Sequence, residues 1–129
     1  QPRRQRQMCI RDRSYIVDRA REIYRDSSLL KITNDPIKAV KGANVLYTDV
    51  WSSMGEENQK EEKDRNFSGF MIDCNLLKRA DKEAIVLHCL PAYRNKEITD
   101  AVMESEKSRI FQQSENRLHA QQALLACLL

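Results

Sequence analysis

The sequence lacks the features that would mark a fibrous, membrane-spanning or disulfide-stapled chain. Its 129 residues include 3 Gly and 3 Pro, too few of either for a collagen-like or low-complexity polymer. The longest apolar run, Ala123–Leu129, falls far short of the ~18 residues of a membrane span. The arginine-rich start has no apolar core behind its charges, so it is not a secretory signal. Cys9, Cys74, Cys89 and Cys127 fit neither a paired framework nor a C-x-x-C knuckle, and no metal-ligand spacing is present. They read as reduced thiols, which places the protein in the cytoplasm or an organelle.

What is present is ordinary globular composition, 41% hydrophobic and 32% charged, with room for one domain. The net charge of +3 is concentrated at one end. Residues 1–13 hold five arginines against Asp12, a local +4 that leaves the rest of the chain at −1. The body therefore has no basic stripe and no aromatic platform interleaved with Lys or Arg, which argues against a nucleic-acid partner. A basic arm gripping phosphates would rest on those residues alone, with an affinity falling steeply as salt rises. The simpler expectation is that residues 1–14 are a disordered or foreign leader.

From residue 15 the text becomes periodic. Ile16, Ala20, Ile23 and Tyr24 predict a helix over 15–26, and Leu29–Thr33 suits a strand. Asn34-Asp35-Pro36 is a cap with proline at the first helical position, and Gly42 marks the stop. Asn44–Thr48 predicts a buried strand leading into an aperiodic loop, Asp49–Gly55. Glu56–Arg65 reads as a solvated helix or mobile segment, and Asp73 as the cap of a helix through Ala80. Ala84–Leu90 predicts a central strand ended by Pro91, followed by a helix over Lys96–Ser105 and a short strand at Arg109–Phe111. Ser114 is expected to cap a C-terminal helix with Leu118, Ala123, Leu125 and Leu128 inward. This alternation defines an α/β fold, a parallel Rossmann-like sheet with helices on both faces in a single, partial domain.

Ligands of such sheets gather beyond the carboxyl ends of the strands, so three loops carry the chemistry. In the first, Asp49 can hold an ammonium with Ser53 assisting, and Gly55 lets the backbone come close. The bland alternative is a helix N-cap with an incidental aspartate. In the second, His88 and Cys89 alternate on a strand and face opposite ways, so they are no nucleophile–base pair. The choice there is between a buried thiol with a satisfied core histidine and a Cys89 sulfur and Leu90 carbonyl facing a substrate. In the third, Arg117 either binds an anion or is a surface arginine, and His119 is packing or surface.

Taken in order, Asp-Val-Trp-Ser-Ser-Met-Gly (49–55), His-Cys-Leu-Pro-Ala (88–92) and Glu-Asn-Arg-Leu-His-Ala-Gln (115–121) resemble the ornithine carbamoyltransferases, within the aspartate/ornithine carbamoyltransferase family. Asn34-Asp35-Pro36 and Glu97-Ile98-Thr99-Asp100 extend the likeness over residues 15–129, the C-terminal ornithine-binding domain. The resemblance implies carbamoyl transfer from carbamoyl phosphate to the side-chain amine of L-ornithine, giving L-citrulline and phosphate. It places Asp49 and Ser53 on the α-amino group, the Met54 main chain on the α-carboxylate and Cys89 near the attacking amine. The Leu90 carbonyl and Arg117 would contact the carbamoyl group, with Cys89 and Arg117 as the catalytic pair and no metal or organic cofactor.

Ser53-Met54-Gly55 favours ornithine over the aspartate- and putrescine-using relatives, while Tyr93 replaces a histidine common in the family. The resemblance further implies a homotrimer in the full-length enzyme, with no membrane or nucleic-acid partner. The family's Ser-x-Arg-Thr loop for carbamoyl phosphate does not occur in these residues, so the chain alone is expected to be inactive. The competing expectation from a different class is a stand-alone module that binds an amino acid or a partner without catalysis.

Overall fold

The computed structural model describes residues 15–23, 30–52 and 60–129, in two units divided after Asn34. In the first unit residues 15–23 form a helix, α1, whose charged face carries the i,i+3 pairs Arg19–Glu22 at 2.9 Å and Asp18–Arg21 at 3.5 Å. Its intended inner residues Ile16 and Ile23 are exposed, and Tyr24 lies outside the described residues. The strand expected at Leu29–Thr33 is not formed over 30–33, where no ladder partner supplies the hydrogen bonds a strand needs. Leu29 and the leader 1–14 lie outside the described residues.

The second unit is organised on a parallel pair. Helix α2 (Pro36–Val40) begins as its sequence dictates: the Asp35 carboxylate accepts from the amides of Ile37 (3.0 Å) and Lys38 (3.2 Å), and Pro36 presets the first turn. The chain then turns through Gly42, whose φ of 71° needs no side chain. It enters β1 (Val45–Thr48), which pairs in parallel with β2 (Ile85–His88) in the register Val45↔Ile85 to Thr48↔His88. Both strands therefore end level, and the loops after Thr48 and His88 leave side by side.

Between the strands lie α3 (Lys60–Phe67), a 3₁₀ turn (Ser68–Phe70) and α4 (Cys74–Leu77). Helix α3 buries nothing, as its run of charges implies, whereas Asp73 caps α4 by accepting from the Leu76 amide at 2.7 Å.

The fold departs from expectation after β2. The helix predicted over Lys96–Ser105 shrinks to α5 (Asp100–Met103). Residues 94–98 instead form a turn, with Asn95 in the left-handed region (φ 64°) and its amide bonded to the Ile98 carbonyl at 2.8 Å. This lets Ile98 bridge Ile72 across the core. The strand predicted at Arg109–Phe111 is a single bridge one step earlier, at Ser108, with Val86 between Lys107 and Arg109 through two 2.9 Å bonds. Helix α6 (Ile110–Leu128) follows at once, so Phe111 and Ser114 are helical and Ser114 is not the cap.

Val86, Ile98, Val102 and Ile110 are fully buried and, with Leu46 and Ile72, form the centre of the core. Of α6 only Ile110 is buried; Leu118, Leu125 and Leu128, expected to face inward, are exposed. No helix among the described residues is long and apolar enough to cross a membrane.

Ile110 alone inserts α6 into the core, so Ile110→Ala is expected to lower stability by about 2–5 kcal/mol, measured by urea unfolding. Leu125→Ala on the exposed stretch is expected to change it by less than about 0.5 kcal/mol.

Candidate functional site

Because β1 and β2 end in register, Asp49 and Cys89, forty residues apart in sequence, are brought together. The Cys89 thiol donates to Asp49 Oδ1 at 3.0 Å, and the same oxygen accepts the Val50 amide at 2.7 Å. The N-cap alternative for Asp49 is not realised: the residues that follow through Ser52 are not helical. The Asp49 hydrogen bond, then burial and the aspartate's charge, raise the pKa of the Cys89 thiol above its ordinary value of 9.0; the charge of Arg117 acts the other way. At neutral pH Cys89 is a thiol and a donor, not a thiolate nucleophile.

Arg117 is placed by helix geometry. It follows Ile110 by seven residues and Gln113 by four, which puts all three on one face of α6. Gln113 stitches that face to both strands: its Oε1 accepts the His88 amide at 3.1 Å and its Nε2 donates to the Tyr47 hydroxyl at 3.0 Å. The guanidinium of Arg117 thereby acts electrostatically on Cys89 from a side chain that is otherwise exposed. His119, two and a half turns from Ile110, pairs with Glu115 at 3.7 Å on the surface.

Beneath the loop is a buried polar relay. His88, 1% exposed, accepts the Leu90 amide on Nδ1 at 2.8 Å, so its ring proton resides on Nε2 and is donated to Glu97 Oε1 at 3.1 Å. Glu97 is wholly buried and also accepts the Tyr93 amide on Oε1 at 2.6 Å. Leu90 occupies the left-handed region, with φ of 54°, and is followed by a cis peptide to Pro91. A branched residue there is strained by the order of 1 kcal/mol, and the His88 acceptor offsets that strain by fixing the Leu90 amide. The core-histidine alternative for His88 is thus correct for packing, and the same contact sets the backbone of a candidate site residue. Glu97 and Gln113 were not singled out from the sequence. A glutamate within an Ile-Thr-Asp context, and a glutamine three residues after an apolar anchor, were the available signals.

A cavity of about 290 Å³ opens beside these loops, with Asp49, Ser52, Leu90, Tyr93 and Glu97 among its lining, joined by Lys60 and Asp64 from α3 and Lys96 from the 94–98 turn. Helix α3 is held there by an ion pair between Asp64 and Lys96 and by Phe67 stacking on Trp51 at 6.3 Å between ring centroids. Asp49, Cys89, Leu90 and Arg117 are therefore gathered at one end of the sheet; Ser53 and Met54 lie outside the described residues.

The parallel α/β domain thus sets a carboxylate, a thiol and a cation at the strand ends, where ligands of the doubly wound class gather. The model of the family "Aspartate/ornithine carbamoyltransferase, Asp/Orn binding domain" matches residues 6–128, and the chain belongs to that family. Ornithine carbamoyltransferase of Prochlorococcus marinus subsp. pastoris is 71% identical over 116 residues, covering 90% of this chain and 38% of the relative. The chain thus spans well under half the length of the curated relatives it matches. Among solved structures, ornithine carbamoyltransferase from Pyrococcus furiosus is 51% identical with a TM-score of 0.66, over 71% of this chain and 29% of that one. Anabolic ornithine carbamoyltransferase from Campylobacter jejuni is 46% identical with a TM-score of 0.68, over 74% and 32%. An acetylornithine transcarbamylase complexed with acetylcitrulline is 33% identical with a TM-score of 0.62, over 74% and 29%.

Two outcomes are expected from this geometry. Removing the negative charge in Asp49→Asn lowers the Cys89 pKa and accelerates its alkylation by iodoacetamide at pH 8, whereas Arg117→Ala slows it; peptide-resolved mass spectrometry separates Cys89 from the other cysteines. Glu97→Ala strands two buried donors and is expected to cost about 2–3 kcal/mol in urea unfolding, with Glu97→Gln, which keeps an acceptor oxygen, costing less.

Proposed function

We propose that residues 15–129 are the ornithine-binding domain of an ornithine carbamoyltransferase. Such an enzyme transfers the carbamoyl group of carbamoyl phosphate to the δ-amine of L-ornithine. The observation that carries this reading is the Asp49–Cys89 hydrogen bond, which closes the two strand-end loops on one another within the field of Arg117. The 71% identity to a relative named ornithine carbamoyltransferase supports it.

In this reading Asp49 and Ser53 hold the α-ammonium of ornithine and the Met54 main chain meets its α-carboxylate. The δ-amine is a nucleophile only after it loses a proton, and a partly desolvated site beside a neutral thiol favours the uncharged amine. Its lone pair forms the new C–N bond to the carbamoyl carbon, the C–O bond to phosphate breaks with the electron pair leaving on phosphate, and the departing phosphate takes the proton that the amine nitrogen sheds. Negative charge grows on the carbamoyl oxygen during attack, where Arg117 stabilises it as a fixed cation. The Leu90 carbonyl, set by the His88 contact, accepts from the carbamoyl nitrogen. Holding two substrates in line supplies several kcal/mol of the barrier reduction by itself. The enzyme would act in the cytoplasm as a homotrimer, with carbamoyl phosphate held mainly by residues outside this chain.

The 129 residues alone are expected to form no citrulline from carbamoyl phosphate and ornithine. Joined behind the remaining portion of the Prochlorococcus relative, they are expected to restore turnover. Arg117→Gln in that fusion should lower kcat by about 10²–10³-fold. Turnover by the fusion unchanged by the substitution would remove Arg117 from the mechanism, and no turnover with a folded fusion would remove the reading itself.

A further inference from the structure

The charges lining the 290 Å³ cavity do not all cancel one another. Asp64 and Lys96 neutralise each other in a half-buried ion pair, and Glu97 is taken up by the His88 ring and the Tyr93 amide. Two groups remain. Asp49 uses one oxygen for Cys89 and Val50 and leaves the other without a partner among the described residues. Lys60 has no carboxylate partner among the described residues; its ammonium lies 5.6 Å from the centroid of the Tyr93 ring. Glu97 Oε2 and Ser52 Oγ are buried on the same lining residues with no protein partner, so the cavity also carries unmet polar capacity.

A cavity with one open carboxylate and one open ammonium is complementary to a zwitterion. We propose that Lys60 is a specificity-determining residue that pairs with the α-carboxylate of the bound amino acid, and that Tyr93 is the positioning residue that holds the Lys60 ammonium over the cavity. The inference rests on the ornithine-binding reading and adds a side-chain cation to it. A lysine stem is long and rich in rotamers, so an unsupported Lys60 would give up much of its attraction in being ordered. The ring face of Tyr93 holds the ammonium electrostatically without neutralising it, and leaves its hydrogen-bond donors for a carboxylate.

The test measures binding to the 129-residue chain by isothermal titration, with circular dichroism to confirm that each variant is folded. The ligands are L-ornithine, δ-aminovalerate, which keeps the carboxylate and lacks the α-amine, and putrescine, which lacks the carboxylate. Lys60→Met is expected to weaken L-ornithine and δ-aminovalerate by about tenfold and to leave putrescine within about twofold. Tyr93→Phe, which keeps the ring, should bind as the parent does, and Tyr93→Ala should weaken the two carboxylates by a few-fold.

An unchanged ratio of L-ornithine to putrescine affinity in Lys60→Met overturns the assignment while the ornithine-binding reading stands. Equal weakening by Tyr93→Phe and Tyr93→Ala overturns the platform role. Failure of the folded parent chain to bind any of the three ligands removes the ornithine-binding reading and this inference with it.

Discussion

The contact between His88 and Glu97 is the constraint on which the strand-end loop depends. Both side chains are shut away from water, and a buried carboxylate is tolerated only where donors meet it. The His88 ring satisfies one end of the relay through Glu97 and the other through the Leu90 amide, while Glu97 also takes the Tyr93 amide. One pair of side chains thereby specifies the backbone at Leu90, at Tyr93 and in the turn between them. Cys89 is held between two fixed neighbours, with its thiol directed away from the core and onto Asp49. The rigid part of the site is buried under it, and the reactive part is carried on top.

The register of the parallel pair supplies the second half of the arrangement. A slip of one residue between β1 and β2 would move Asp49 away from Cys89 and turn Val86 and His88 from the core to the other face. The pairing is fixed because Val86 and His88 are both fully buried on one face, and because β2 is also bonded on its far side to Lys107 and Arg109. That second set of bonds fixes where α6 starts, and Gln113 completes the stitch by reaching both strands. Arg117 arrives at the site as a consequence of this packing, two turns along a helix from the buried Ile110.

Beyond Arg117 the helix leaves the domain. Its last turns carry Leu124, Leu125, Leu128 and Leu129 in the open, a density of exposed leucine unusual for a monomer surface. Among the described residues the sheet is likewise small for a parallel one, with two strands and exposed Val45 and Tyr47 on β1. Both features accord with a chain that spans 38% of the length of a relative it matches at 71% identity.

The caps were legible because they are local. Asp35 and Asp73 bond amides two or three residues away, and Pro36 and Gly42 carry their conformations in their own covalent structure. The strands at Val45–Thr48 and Ile85–His88 were legible from apolar runs too short for a helix, and the loops after them from their lost periodicity. Other elements were settled by partners far away in sequence. Ile98 left a helical pattern to bridge Ile72, Ser108 rather than Arg109–Phe111 met Val86, and Leu118, Leu125 and Leu128 stayed exposed. Periodicity shows that a face is apolar, and only the arrangement of other segments decides whether that face is covered.

The same division holds for the site. The sequence by itself determined the order and chemistry of the motifs, hence the family, because residue types at fixed spacings need no fold to be read. The tertiary structure decided that Asp49 bonds Cys89, that Glu97 and Gln113 belong to the site and that Tyr93 faces Lys60. Each of those contacts joins segments whose approach is set by strand register and core packing, and neither is encoded in any one segment alone.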